Sequence, residues 1–257
     1  MTVIASRDNP RLRRWMKLAN DARERRKAGR AIIEGPNLVA AYLDSGRVPE
    51  ALILSKSGAA RADVASLARG AVTTVVSDRL FASLADAEAP PGIAAEIELP
   101  REASELRKAS ACVFLDSVQD AGNVGAILRS AAAFGIPSAV LGAGCADAWS
   151  PKVLRAAAGA HFALDVRAMK LEQALEEFGG RVACTVPRGG TELGKADLAG
   201  RIGWIFGAEG QGVSTALALR AALKVTIPMQ PGAESLNVAA AAAICFYEWN
   251  MRFAQSS

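Results

Sequence analysis

Two periodicities alternate along the chain. In "NPRLRRWMKLANDARERRKAG", Leu12, Trp15, Met16 and Ala19 recur at helical spacing, arginines take the other face, and Gly29 marks a stop. The apolar runs "RAIIEG", "EALILS", "AVTTVV" and "GIAAEIEL" come next, separated by helical patterns from Pro36, near residues 59–68, and in "DRLFASLAD". Strands alternating with helices predict a small α/β domain over residues 1–99. "PREASELRKAS" is charged and has no apolar run, which places a linker at residues 100–109. Over residues 110–257 the strands become more apolar: "ACVFLD", "SAVLG", "FALDV", "RVACTV", "IGWIFG" and "KVTIP". Near-continuous apolar strands between helices predict a parallel sheet covered on both faces. Ser150 and Pro151 read as the cap and first residue of a helix. The last helix, "VAAAAAICFYEW", is apolar nearly all round and is expected to be buried on most sides.

Composition agrees with a folded α/β protein. The 257 residues are 51% hydrophobic, enough for one large or two modest cores. Cys112, Cys145, Cys184 and Cys245 are scattered without a CxxC pair, so they read as reduced core residues, with neither disulfides nor a metal site. The arginine-rich first thirty residues lack the apolar block of a leader, and no apolar run is long enough to span a bilayer, so a cytoplasmic protein is expected. Net charge is only +4, yet it is +7 on residues 1–30 and −3 on the remainder. A basic element on a mildly acidic body suggests either a polyanion held at one end or a solvated helix face. Arg13, Arg14, Arg25 and Arg26 are the candidate phosphate contacts.

Candidate chemistry lies in glycine-containing segments after strands, where an open parallel sheet binds ligands. These are "LGAG" at 141–144, "FGAEGQG" at 206–212 and "IPMQPGAESLN" at 227–237. The first supplies only GxG and the second lacks the Lys-Ser/Thr ending of a P-loop, so neither is a nucleotide fingerprint. His161, the single histidine, reads as structural at a strand entry, which weakens Ser-His-Asp and zinc chemistry. Asn123, Arg129, Glu209, Ser235 and Asn237 remain. Asn123, Ser235 or Asn237 could each be a helix cap, and Glu209 a turn residue or a charge at a helix start. Arg129 has no acidic residue three or four positions away. On a helix that packs against a sheet, it is expected to be a desolvated cation awaiting an anion.

Three stretches, "FLDSVQDAGNVGAILRSAAAFGI", "IFGAEGQGVS" and "IPMQPGAESLNVAAAAAICFYEW", resemble the ordered motifs of the SpoU (TrmH-like) branch of the SPOUT RNA methyltransferases over residues 110–252. "NPRLRRWMKL…RRKAGRAIIEGPNLV" more loosely resembles the ribosomal-protein-like RNA-binding domain that precedes it in many members. The resemblance implies an α/β fold with a deep trefoil knot in its parallel-sheet domain, an exception to the rule against threading. It also implies a homodimer, S-adenosylmethionine as methyl donor, no metal, and a ribose 2′-hydroxyl of rRNA or tRNA as acceptor, rRNA being favoured. Gly207, Ile227 and Leu236 match positions whose backbone holds the adenosine part. Asn123, Arg129, Glu209, Ser235 and Asn237 match the catalytic polar positions. Ala121 and Ala239 stand where many members have proline and serine, and leave those polar positions intact. A non-catalytic RNA-binding protein and methylation of a base are the alternatives.

Overall fold

The apolar runs read as strands form strands, with one shift: in "FALDV" Phe162 closes a short helical turn and the strand begins only at Asp165. A computed structural model describes residues 2–68, 71–85, 89–100 and 105–253; residues 101–104 of the expected linker lie outside the described residues. The first part contains β1 (Thr2–Ile4), α1 (Pro10–Asn20), α2 (Ala22–Ala28), β2 (Arg30–Glu34), α3 (Pro36–Asp44), β3 (Ala51–Ser55), α4 (Lys56–Ala59), α5 (Ala62–Leu67), β4 (Thr73–Val76), α6 (Asp78–Ala82) and β5 (Ile93–Glu98). Its mixed sheet has the order β1-β4-β3-β5-β2. Successive strand residues feed opposite cores: Ile32 and Ile53 join Leu12, Trp15 and Phe81, whereas Ile33, Leu52 and Leu54 join Val39 and Tyr42.

The basic helix read as one element is two. The Asp21 carboxylate accepts from the amides of Arg23 (2.7 Å) and Glu24 (3.4 Å), so it starts α2 where α1 has just ended. The helical pattern at 59–68 likewise divides between α4 and α5.

The second part runs β6 (Ala111–Asp116), α7 (Ala121–Ala133), β7 (Ser138–Leu141), α8 (Pro151–Ala157), β8 (Asp165–Ala168), α9 (Leu171–Phe178), β9 (Arg181–Thr185), β10 (Thr191–Glu192), β11 (Ile202–Gly207), α10 (Thr215–Ala218), β12 (Leu223–Thr226) and α11 (Val238–Phe253). Its sheet order is β10-β12-β9-β11-β6-β7-β8, with every pairing parallel. The strand β11 therefore lies between β6 and β9, both of which precede it in the chain. On one face Phe114, Cys184 and Ile205 pack with Leu175 and Phe178; on the other Phe206 meets Phe246 of α11 edge-on at 5.6 Å.

The chain does not divide at a single point. Met1–Arg101 and Trp149–Phe162 form one compact unit, and Glu102–Ala148 with Ala163–Ser257 the other. Ser150 caps α8 as expected, through its Oγ to the Val153 amide at 3.4 Å. Leu154 then joins the Val39–Tyr42 core, and Arg155 pairs at 2.7 Å with Glu34, which is 8% exposed. The buried Leu154 and the ion pair of Arg155 with the buried Glu34 tie the segment to the first unit.

The last helix departs from expectation. It buries one stripe, Ala242, Cys245, Phe246 and Trp249, and leaves Ile244, Tyr247 and Met251 exposed. A helix apolar on all sides needs cover on all sides, and α7 and β11 together cover only this stripe. Among the described residues no helix is long and apolar enough to cross a membrane.

Candidate active site

A pocket of about 380 Å³ opens beyond the C-terminal ends of three adjacent strands, β12, β9 and β11. Its walls are Thr185–Pro187 after β9, the turn from Gly207 to Val213 after β11, and Ile227, Met229 and Ser235–Val238 between β12 and α11. The volume falls in the range of small-molecule sites. Glu209 is the single formally charged residue on the lining.

Gly207 is required by the chain itself. A Cβ there would stand 2.0 Å from the carbonyl carbon and oxygen of Gly212 and 2.2 Å from the Val213 nitrogen. The turn folds directly onto the strand end, closed by the Gly212 amide donating to Ala208 O at 2.8 Å.

Three polar residues from three segments meet beside this pocket. Asn237 Oδ1 accepts from the amides of Ala239 (2.9 Å) and Ala240 (3.2 Å), capping α11. Its oxygen being so engaged, Nδ2 donates to Asn123 Oδ1 at 2.9 Å. The Asn123 NH₂ is thereby turned toward Glu209 and donates to Oε1. The polarity runs one way, from the amide-rich start of α11 to the carboxylate, so the positive end of that helix is linked to the negative charge.

Asn237 thus serves both as cap and as site residue. Asn123 is not the cap of α7: that is Asp120, whose Oδ1 accepts from the Asn123 amide at 2.7 Å. Glu209 stands in an exposed turn, as one reading held. Ser235 lines the pocket, and its hydroxyl makes no hydrogen bond among the described residues. Gly207, Ile227 and Leu236 all line it too.

Arg129 corrects the expectation of a desolvated charge. The buried face of α7 consists of Val124, Gly125, Ile127, Leu128 and Ala131, and the helix packs beside α11. Five residues at about 100° each carry Arg129 to roughly 140° from Val124, the far side. It is exposed, with no ion pair or hydrogen bond among the described residues. The helix is not burdened by an unpaired buried cation; it presents a free one. The structure joins Arg129 to none of the other four polar positions.

The basic arm divides into two kinds of arginine. Arg26 is exposed, and Arg13 is exposed beside Asp8. Arg14 is half-exposed and holds Glu96, a carboxylate 2% exposed that also accepts from Trp15 Nε1 at 2.8 Å. Arg25 is a correction. It is 4% exposed, and Nη1 donates to the carbonyls of Leu18 (2.7 Å) and Ala19 (2.9 Å) at the end of α1. Its charge closes a helix terminus and is not presented to a polyanion.

His161 is fully buried in a short turn, its ring 4.8 Å from Trp149, in the first unit, which contributes no residue to the pocket lining. The four cysteines are free, and burial pushes the Cys112 and Cys245 thiols well above their ordinary range. "LGAG" does not line the pocket. Sequence reading passed over Thr185–Pro187, although the glycines of "TVPRGG" directly after a strand were a usable signal.

Known protein families match the two parts of the chain separately. Residues 110–247 match the model of the SpoU rRNA Methylase family, and residues 9–95 match an MRM3-like substrate binding domain. The chain is 34% identical over 250 residues, 96% of its length and 98% of the relative's, to the 23S rRNA (guanosine(2553)-2′-O)-methyltransferase RlmP of Bacillus subtilis. Its structure resembles that of the SpoU methyltransferase AviRb from Streptomyces viridochromogenes in complex with AdoMet, with a TM-score of 0.84 at 25% identity over 95% of this chain and 98% of that one. It also resembles an AdoMet-bound rRNA methyltransferase from Sinorhizobium meliloti, with a TM-score of 0.82 at 26% identity over 97% of each chain.

Proposed function

The chain belongs to the SpoU rRNA methylase family, and from that premise we propose that it is an S-adenosylmethionine-dependent methyltransferase acting on a ribose 2′-hydroxyl of ribosomal RNA. The observation that carries this reading is the pocket at three adjacent strand ends with the Glu209–Asn123–Asn237 chain beside it. A pocket walled largely by backbone and apolar side chains, with one carboxylate, fits a nucleoside bearing a positive sulfonium. S-adenosylmethionine, when bound, supplies a methyl group already activated for transfer.

The protein's part is positioning and electrostatics. Gly207, Ile227 and Leu236 hold the adenosine part, and Ser235 offers a free hydroxyl at the rim. Asn237 fixes the loop before α11, and Asn123 and Glu209 fix the turn after β11 against it. Arg129 binds the phosphate next to the target and stabilises the ribose oxyanion as it forms. A guanidinium with a pKa above about 12 is a poor proton acceptor, so Arg129 acts as a cation and not as the base. Arg13, Arg14 and Arg26 hold RNA phosphates.

The exposed Ile244, Tyr247 and Met251 on α11 support a homodimer in which a second copy covers them. The insertion of β11 between two earlier strands supports a knotted C-terminal segment. The 23S rRNA target of the Bacillus relative supports 23S rRNA, in the cytoplasm, over tRNA. Mapping 2′-O-methyl sites in total RNA from cells with and without the gene tests the reading. Loss of one ribose methyl in 23S rRNA is the expected result. Loss of a base methyl, loss confined to tRNA, or no loss would each refute it.

A further inference from the structure

We propose that Asp116 is a positioning residue for methyl transfer, holding the turn that carries Glu209 by accepting, at its carboxylate, a hydrogen bond from the backbone amide of Ser214. The proposal rests on the reading of the pocket as the methyl-transfer site. Asp116 is the last residue of β6 and lies opposite Gly207, the last residue of β11, in the parallel register. From Gly207 the chain turns out of the sheet and returns at Ser214. One end of that turn is gripped by the sheet. At the other, Ser214 N donates to Asp116 Oδ2 at 2.8 Å. Between them, Ala208, Glu209 and Val213 line the pocket, and the Ala208–Gly212 bond only closes the turn on itself. Removing the carboxylate therefore frees the wall that holds Glu209 to Asn123. The core strand does not depend on it, because Trp204, Ile205 and Phe206 are fully buried without it.

Three variants test this. Asp116→Ala removes the acceptor. Asp116→Asn retains an acceptor oxygen. Ser214→Pro removes the donor and sets a ring carbon where its hydrogen stood, pushing the carboxylate aside, at a φ of −57° that proline adopts. Single-turnover transfer, the KM for S-adenosylmethionine and amide exchange over residues 208–214 are measured together with Tm. Asp116→Ala and Ser214→Pro are expected to slow transfer by about tenfold to a hundredfold, the worth of one charge-assisted hydrogen bond, and to speed exchange in that turn. Asp116→Asn is expected to recover to within about threefold of wild type. The proposal is overturned if Asp116→Ala transfers at the wild-type rate, if Asp116→Asn is as damaged as Asp116→Ala, or if Ser214→Pro is unaffected. If Asp116→Ala fails to fold, Ser214→Pro alone decides. If the wild-type protein transfers no methyl group, the methyltransferase reading falls, while exchange at 208–214 still reports on the anchor.

Discussion

Adding one methyl group at Gly207 should separate cofactor binding from stability. In Gly207→Ala the new Cβ would lie 2.0 Å from two backbone atoms of Gly212 and 2.2 Å from the Val213 nitrogen. Ordinary carbon contacts need about 3.5 Å, so the turn must retreat by roughly 1.5 Å. No flexible side chain can absorb this, because every atom in the way is main chain. The strand cannot yield either, since Trp204, Ile205 and Phe206 are fully buried. The turn moves, and the Gly212–Ala208 bond and the contact of Glu209 with Asn123 go with it. Overpacking of this kind costs about 1–3 kcal/mol, or about 5- to 150-fold in an equilibrium constant. Because the turn is a wall of the pocket, the loss should appear in the Kd for S-adenosylmethionine by isothermal titration, with Tm lowered by only a few degrees. A Kd within twofold of wild type would refute the reasoning. So would a collapse of Tm, which would mean that the turn supports the core.

Other perturbations separate charge from structure. Arg129→Ala should lower single-turnover methyl transfer by about 10²- to 10³-fold. Its Kd for S-adenosylmethionine and its Tm should hold, because the side chain is exposed and unpaired; near-normal turnover would remove it from the mechanism. Asn237→Ser should keep the α11 cap, and hence Tm, while losing the reach to Asn123, so transfer should fall. Asn237→Ala should lose about 1 kcal/mol of stability as well, measured by denaturant unfolding. Arg25→Ala should destabilise by about 2–4 kcal/mol and leave the salt dependence of RNA binding unchanged. Arg26→Glu should do the reverse, flattening the slope of log K against log salt by about one phosphate contact.

What was legible in the chain followed from local physics. Runs such as "ACVFLD" and "IGWIFG" can satisfy only a strand buried on both faces, and they became β6 and β11 at the centre of a parallel sheet. Ser150-Pro151 opened a helix because a hydroxyl cap and a ring with fixed φ act within one turn. Glycine-containing segments after strands marked two of the three walls of the pocket for the same reason. The two edge strands β1 and β10 were not read, because three and two residues are too short to carry a pattern.

The errors share one cause. Arg129 and Arg25 were judged by their neighbours in sequence, whereas exposure depends on which helical stripe the neighbouring elements cover. In a helix as rich in alanine as α7, composition does not name that stripe. Arg25 reaches back across the break at Asp21 to carbonyls six and seven residues away, a contact set by the angle between two helices.

The sequence by itself determined most of the elements, some of their caps and the polar residues available to the pocket, because those depend on interactions within a few residues. Only the tertiary structure decided which of them meet. Asn123 finds Glu209 across 86 residues and Asn237 across 114, because β11 inserts between β6 and β9 and α11 packs beside α7. No local propensity encodes that order; it is settled by burying both faces of one sheet at once.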